Sequence, residues 1–191
     1  NQYANQPIET RPTVIYMHGC TGIGFEDSAW MEYLHDLGYS VIAPDSYERP
    51  GGRVGCGGTI PERVTLRHEE LRYSIEMIGD LPWVDTNRLY MMGFSEGGHA
   101  LTTLTDVPDG VRGIVLIGVD CQASGGTPLA PSHIPVLNIV GSQDEYDFGR
   151  GCTLKRTAPG TRVMIVRGGH HVGLAVMPAT RQVLAGQIIA P

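Results

Sequence analysis

Six short runs of aliphatic and β-branched residues, most of them stopping at a glycine, constrain this chain more than any other feature. They lie at residues 12–18 (PTVIYMH), 40–44 (SVIAP), 87–92 (NRLYMM), 113–118 (GIVLIG), 135–140 (PVLNIV) and 162–166 (RVMIV). Strands buried on both faces read as such continuous runs, whereas half-exposed strands alternate. Helical patterns separate them at 27–37, 62–78, 96–104 and 173–189. The first places Trp30, Tyr33, Leu34 and Leu37 on one face and stops at Gly38. Strand runs alternating with helices specify a parallel sheet covered on both sides. The expectation is therefore one α/β domain over residues 1–191, with a mostly parallel sheet of about six strands. In such sheets chemistry gathers at the carboxyl ends of the strands.

Length and charge agree with one soluble domain. The chain has 191 residues, 14 Lys+Arg against 20 Asp+Glu and a net charge of −6. Nucleic acid needs a basic face, so no nucleic-acid partner is expected. No apolar run approaches the roughly 20 residues of a membrane span. The first residue is Asn1, not Met, so the expected location is cytoplasmic or, after loss of a signal, periplasmic or secreted. A monomer or small homo-oligomer is expected. Cys20, Cys56, Cys121 and Cys152 contain no C-x-x-C pair. No metal site is therefore expected, and free, mostly buried thiols are the favoured reading. Zero, one or two disulfides stay open, with Cys56 and Cys152 in glycine-rich loops where a bridge would form in an oxidising compartment.

The strand at 87–92 runs straight into Gly93-Phe94-Ser95-Glu96-Gly97-Gly98 and then a helix. G-x-S-x-G at a sharp strand-to-helix turn is a nucleophile elbow. Its glycines are required because side chains at 93 or 97 would crowd the turn that exposes Ser95. A serine hydroxyl is a weak nucleophile, so an imidazole must take its proton and a carboxylate must orient that imidazole. Both are expected downstream, in the order Ser, acid, His. Gly141-Ser142-Gln143-Asp144 follows one later strand and Gly168-Gly169-His170-His171 follows the last. Asp144 is the expected acid, with Asp120 one strand early as its rival. His170, directly after the two glycines, is the expected base, and His171 its neighbour facing the other way. The oxyanion donors are expected to be the backbone N–H groups of Glu96, after the nucleophile, and of Cys20, in the loop after the first strand. His18 is read as support for that loop.

These residues resemble the α/β-hydrolases and, within them, the small lidless dienelactone hydrolase-like group. The similarity runs from RPTVIYMHGCTGI through GYSVIAPDSY, LPWVDTNRLYMMGFSEGG and IPVLNIVGSQD to RGGHHVG. It implies a minimal α/β-hydrolase fold without a lid domain. It also implies Ser95, Asp144 and His170 as nucleophile, acid and base, with Cys20 and Glu96 as oxyanion amides. Dienelactone hydrolase itself carries a cysteine where this chain has Ser95.

Gly19-Cys20-Thr21-Gly22-Ile23-Gly24 reads G-x-x-G-x-G and lacks the dinucleotide order. No cofactor is expected. The expected activity is hydrolysis of carboxylic esters or lactones of small, short-acyl molecules through an acyl-enzyme. The alternatives are a non-catalytic binding protein of the same fold, or a hydrolase of another acyl bond such as an amide or a polyester end. The loop at 45–61, with Tyr47, Arg49 and Arg53, is the largest element able to shape the site.

Overall fold

Each apolar run becomes a strand because a parallel sheet between helices hides both its faces. The computed structural model describes residues 9–50, 56–57, 60–146, 151–155 and 158–188. Its strands are β1 (Arg11–Met17), β2 (Ser40–Ile42), β3 (Val84–Phe94), β4 (Val111–Ile117), β5 (Val136–Gly141) and β6 (Arg162–Val166). Its helices are α1 (Phe25–Asp36), α2 (Ile60–Ile78), α3 (Glu96–Thr102) and α4 (Pro178–Ile188). The sheet order is β2-β1-β3-β4-β5-β6, with every neighbouring pair parallel.

Successive strand residues point to opposite faces, and β1 divides the core accordingly. Val14 and Tyr16 join Trp30 and Leu34 of α1 and Leu184 of α4, while Ile15 and Met17 join Leu71 of α2 and Leu101 of α3. Of the nine side chains just named, Val14 and Leu71 are 1% exposed and the other seven are fully excluded from solvent. Among the described residues, no helix is long and apolar enough to cross a membrane.

Element boundaries move by three residues or more in two places. The expected helix over 173–189 begins at Pro178, because Gly173 takes φ 102° and Leu174–Val176 form only one 3-10 turn before the proline opens α4. Strand β3 starts at Val84, before the expected 87. The strand order reverses between β1 and β3, so their carboxyl ends open a crevice at the point where ligands bind in sheets of this kind. Arg53 of the 45–61 loop lies outside the described residues.

Candidate active site

Ser95 follows the carboxyl end of β3 and caps α3. Among the described residues it is the one non-glycine with positive φ, at 51°. The chain turns there because its neighbours leave room: a Cβ on Gly97 would lie 2.1 Å from the Met17 carbonyl oxygen, and one on Gly93 2.6 Å from the Gly97 backbone. Ser95 N–H donates to the Ile117 carbonyl at 2.9 Å, and its own carbonyl accepts from His99 N–H at 2.9 Å. The elbow is thereby pinned to β4 and α3, with the Ser95 side chain half-buried.

The histidine that meets Asp144 is His171, which corrects the expectation of His170. His171 Nδ1 lies 2.8 Å from Asp144 Oδ2, with side-chain exposures of 7% and 0%. His170 points outward at 56% exposure, its Nδ1 2.7 Å from Glu145 Oε1. The reason lies in the glycine turn. Gly168 adopts φ +71°, and the Gly169 carbonyl turns onto β5, accepting from Gln143 N–H at 2.9 Å. That contact is so close that a Cβ on Gly141 would lie 2.2 Å from the Gly169 oxygen. The turn is thus one residue longer than the sequence suggests, and the second histidine faces inward.

The His171 ring sits 5.0 Å from Phe94 and 4.6 Å from Tyr146, centroid to centroid. Gly118, at φ +56°, makes room for it: a Cβ there would meet the imidazole at 3.0 Å. The ring therefore lies over the ends of β3 and β4, beside the residue that precedes Ser95. Glu145 holds this segment twice, accepting His171 N–H at 2.9 Å while its other oxygen meets His170. Those contacts and its own backbone N–H push the Glu145 carboxyl down to about 2, the His171 N–H contributing most. Asp120, the rival acid, instead accepts Gln122 N–H at 3.1 Å and shapes the turn after β4.

Cys20 lies in the loop after β1, and its orientation follows from one peptide plane. A trans peptide points its C=O and N–H in opposite directions. The Gly19 carbonyl accepts from His18 Nδ1–H at 2.6 Å and from Arg67 Nη2–H at 3.0 Å. The Cys20 N–H of the same plane therefore faces away from that polar cluster. His18 is neutral with its proton on Nδ1, because Nε2 accepts Ser46 N–H at 3.1 Å. Burial pushes its pKa down, and the Arg67 charge pushes it further. Its role as loop support agrees with the sequence reading.

Arg67, Asp27 and Glu26 were not legible as site residues. Arg67 is 2% exposed. It donates to the His18 carbonyl at 2.8 Å, to Glu96 Oε1 at 3.0 Å and to Glu70 Oε2 at 3.0 Å, and also to Ser46 Oγ. Asp27 accepts from Gly19 N–H at 3.2 Å, Gly24 N–H at 3.0 Å and Tyr16 O–H at 3.1 Å. Tyr47 donates its hydroxyl to the Cys20 carbonyl at 3.1 Å, and Arg49 pairs with Glu69. The cysteines, favoured as free thiols, are paired as Cys20–Cys56 and Cys121–Cys152. Their sequence spacing carried no signal of this, because the partners meet only once the loops after β1 and β2, and those after β4 and β5, lie side by side.

No family model matches the chain, and no curated protein matches it in sequence. Solved structures do match. TT1662 from Thermus thermophilus is 16% identical, with a TM-score of 0.67 over 97% of this chain and 92% of that one. The esterase Pf2001 of Pyrococcus furiosus is 18% identical, with 0.65 over 94% and 84%. An alpha-beta serine hydrolase homologue from Coxiella burnetii is 17% identical, with 0.64 over 94% and 86%. Likeness at these identities speaks for architecture, and with the six-stranded parallel sheet it shows a small α/β-hydrolase fold.

Proposed function

We propose that the chain is a serine hydrolase of carboxylic esters, with Ser95 as nucleophile, His171 as general base and Asp144 as the carboxylate that orients it. The observation that carries this reading is the 2.8 Å contact from His171 Nδ1 to Asp144, in a ring set beside the strained elbow. A carboxylate accepts only, so Nδ1 carries the proton and Nε2 the lone pair. Nε2 takes the Ser95 proton as Oγ bonds to the ester carbon. The resulting oxyanion is received by the Cys20 and Glu96 amides. The imidazolium then protonates the leaving alcohol as the C–O bond breaks. Water, deprotonated by the same nitrogen, attacks the acyl-Ser95 and releases the acid.

The substrate is a small ester or lactone with a short acyl group. Tyr146, whose ring meets the imidazole, and Val172, next to His171 in the chain, stay 65% and 57% exposed, which suits an open apolar rim rather than a deep acyl tunnel. The two disulfides suit an oxidising compartment, so we place the protein outside the cytosol. It works as a monomer or small homo-oligomer without cofactor.

The test is hydrolysis of p-nitrophenyl acetate and labelling by a fluorophosphonate. Ser95→Ala and His171→Ala are each expected to lose at least about a thousandfold in kcat, since triad members act as a unit. His170→Ala is expected to stay within about tenfold of wild type, having only an exposed contact with Glu145 to lose. A His170→Ala loss equal to that of Ser95→Ala, with His171→Ala active, would refute the assignment of the base.

A further inference from the structure

We propose that Glu26 is a positioning residue that sets the place of the His171 imidazole relative to the oxyanion loop. This rests on the assignment of His171 as base. Glu26 is 3% exposed in the first turn of α1. Its Oε2 accepts Gly173 N–H at 2.6 Å, and its Oε1 accepts Ala175 N–H at 2.8 Å and Trp30 Nε1–H at 3.1 Å. Two of these three donors belong to the segment that leaves His171. Glu145 holds the same residue by its own N–H, so His171 is tethered on both sides along the chain.

The neighbouring residue does the corresponding work on the other arm. Asp27 accepts the N–H groups of Gly19 and Gly24 at either end of the oxyanion loop. Two consecutive carboxylates at the start of one helix thus grip the loop after β1 and the loop after β6. In the sheet order these loops stand on opposite sides of the β3 elbow. A helix start needs no buried acid, and burying a carboxylate is unfavourable unless donors surround it. Burial does push the Glu26 carboxyl up from its ordinary range, and the Gly173 and Ala175 donors oppose that rise.

The arrangement demands acceptors at both oxygens, so glutamine cannot replace the carboxylate: its NH2 would face a donor N–H. Glu26→Gln is expected to lower kcat for p-nitrophenyl acetate about ten- to hundredfold with KM within twofold, and to slow fluorophosphonate labelling equally, because misplacement by about 1 Å costs on that scale. Trp30→Phe removes the third donor and leaves both loop contacts. It is expected to keep kcat within threefold even where its thermal midpoint falls as far. Should Glu26→Gln fail to fold, Glu26→Asp draws the carboxylate back by one methylene at constant charge and carries the same expectation.

A folded Glu26 variant with kcat within threefold of wild type overturns the proposal. So does a loss confined to KM, or an equal loss of kcat in Trp30→Phe. The His171→Ala protein, assayed alongside, separates the two readings. If it is inactive while the Glu26 variant keeps its kcat, only the positioning role fails. If it stays active, the assignment of the base fails first.

Discussion

Removing the Cys20–Cys56 bridge is expected to lower both stability and turnover, whereas removing Cys121–Cys152 is expected to lower stability alone. The bridges close segments of 36 and 31 residues. Loop-closure entropy for such lengths amounts to about 4 kcal/mol each at 25 °C, of which about 2–4 kcal/mol is typically realised. That difference in length is too small to separate them, so location decides what else is lost. Cys121 and Cys152 are 1% and 4% exposed and belong to the core shared by α2 and α3. Cys20 is half-buried in the loop proposed to offer an oxyanion amide, and Cys56 is exposed.

The comparison uses Cys20→Ala/Cys56→Ala and Cys121→Ala/Cys152→Ala, with urea unfolding for stability and p-nitrophenyl acetate for turnover of the folded protein. The first pair is expected to lose about tenfold in kcat. That is less than the roughly 2.7–4 kcal/mol of a deleted oxyanion donor, because the amide survives and is only held less firmly. The second is expected to stay within about threefold. If the first pair keeps full kcat, the bridge does not hold the loop. A stability loss below about 1 kcal/mol in both would refute the loop-entropy reasoning itself.

Three further outcomes are expected. Gly118→Ala forces a side chain into φ +56° and against the His171 ring at 3.0 Å, so about 1–2 kcal/mol of stability and about tenfold in kcat should be lost; unchanged activity would mean the ring sits elsewhere. His18 has its pKa lowered by burial and by Arg67, so the stability it contributes is present above the ordinary histidine value near 6.5 and is lost as pH falls through and below it. His18→Asn should therefore flatten the fall in thermal midpoint between pH 7 and 5, and an unaltered slope would count against it. Asn138 is fully buried, donating to the Leu116 and Val119 carbonyls at 3.3 and 3.1 Å and accepting Cys152 N–H at 2.8 Å. Asn138→Leu should cost about 2–4 kcal/mol in urea unfolding by stranding those groups, and a loss under about 1 kcal/mol would contradict that.

What the sequence disclosed and what it hid divide along a physical line. The turn at Ser95 was legible because G-x-S-x-G between an apolar run and a helix is a local pattern, and Gly93 answers to the Gly97 backbone four residues on, although the demand on Gly97 comes from the Met17 carbonyl of β1. Asp144 was legible because the carboxyl end of β5 can be located from its apolar run. The choice between His170 and His171 depends on the φ of Gly168 and on where the Gly169 carbonyl lands against Gly141, a contact between two strands that no single segment encodes. Glu26 and Asp27, just before and at the start of the expected helix over 27–37, drew no functional reading, since their partners lie 147 and 8 residues away in the chain. Arg67, within the expected helix over 62–78, drew no reading, because nothing nearby in sequence shows that its face turns inward.

Arg67 also explains how the two candidate oxyanion donors stay in register although they come from different loops. One amide is oriented through the Gly19 carbonyl, which Arg67 Nη2 holds at 3.0 Å. The other belongs to Glu96, whose side chain Arg67 Nε holds at 3.0 Å and Arg63 Nε meets at 3.3 Å. One rigid planar guanidinium therefore spans both, and its fork fixes their separation in a way a lysine could not. A buried cation alone would be costly, but Glu70 at 9% exposure and Glu96 at 14% share its charge. With donors taken up by the carbonyls of residues 18 and 19 and by two carboxylates, Arg67 serves as scaffold beneath the loop after β1 and the start of α3. In the proposed mechanism, electrostatic stabilisation of the transition state is left to the backbone N–H groups, which are ordered during folding and need not reorganise when charge develops.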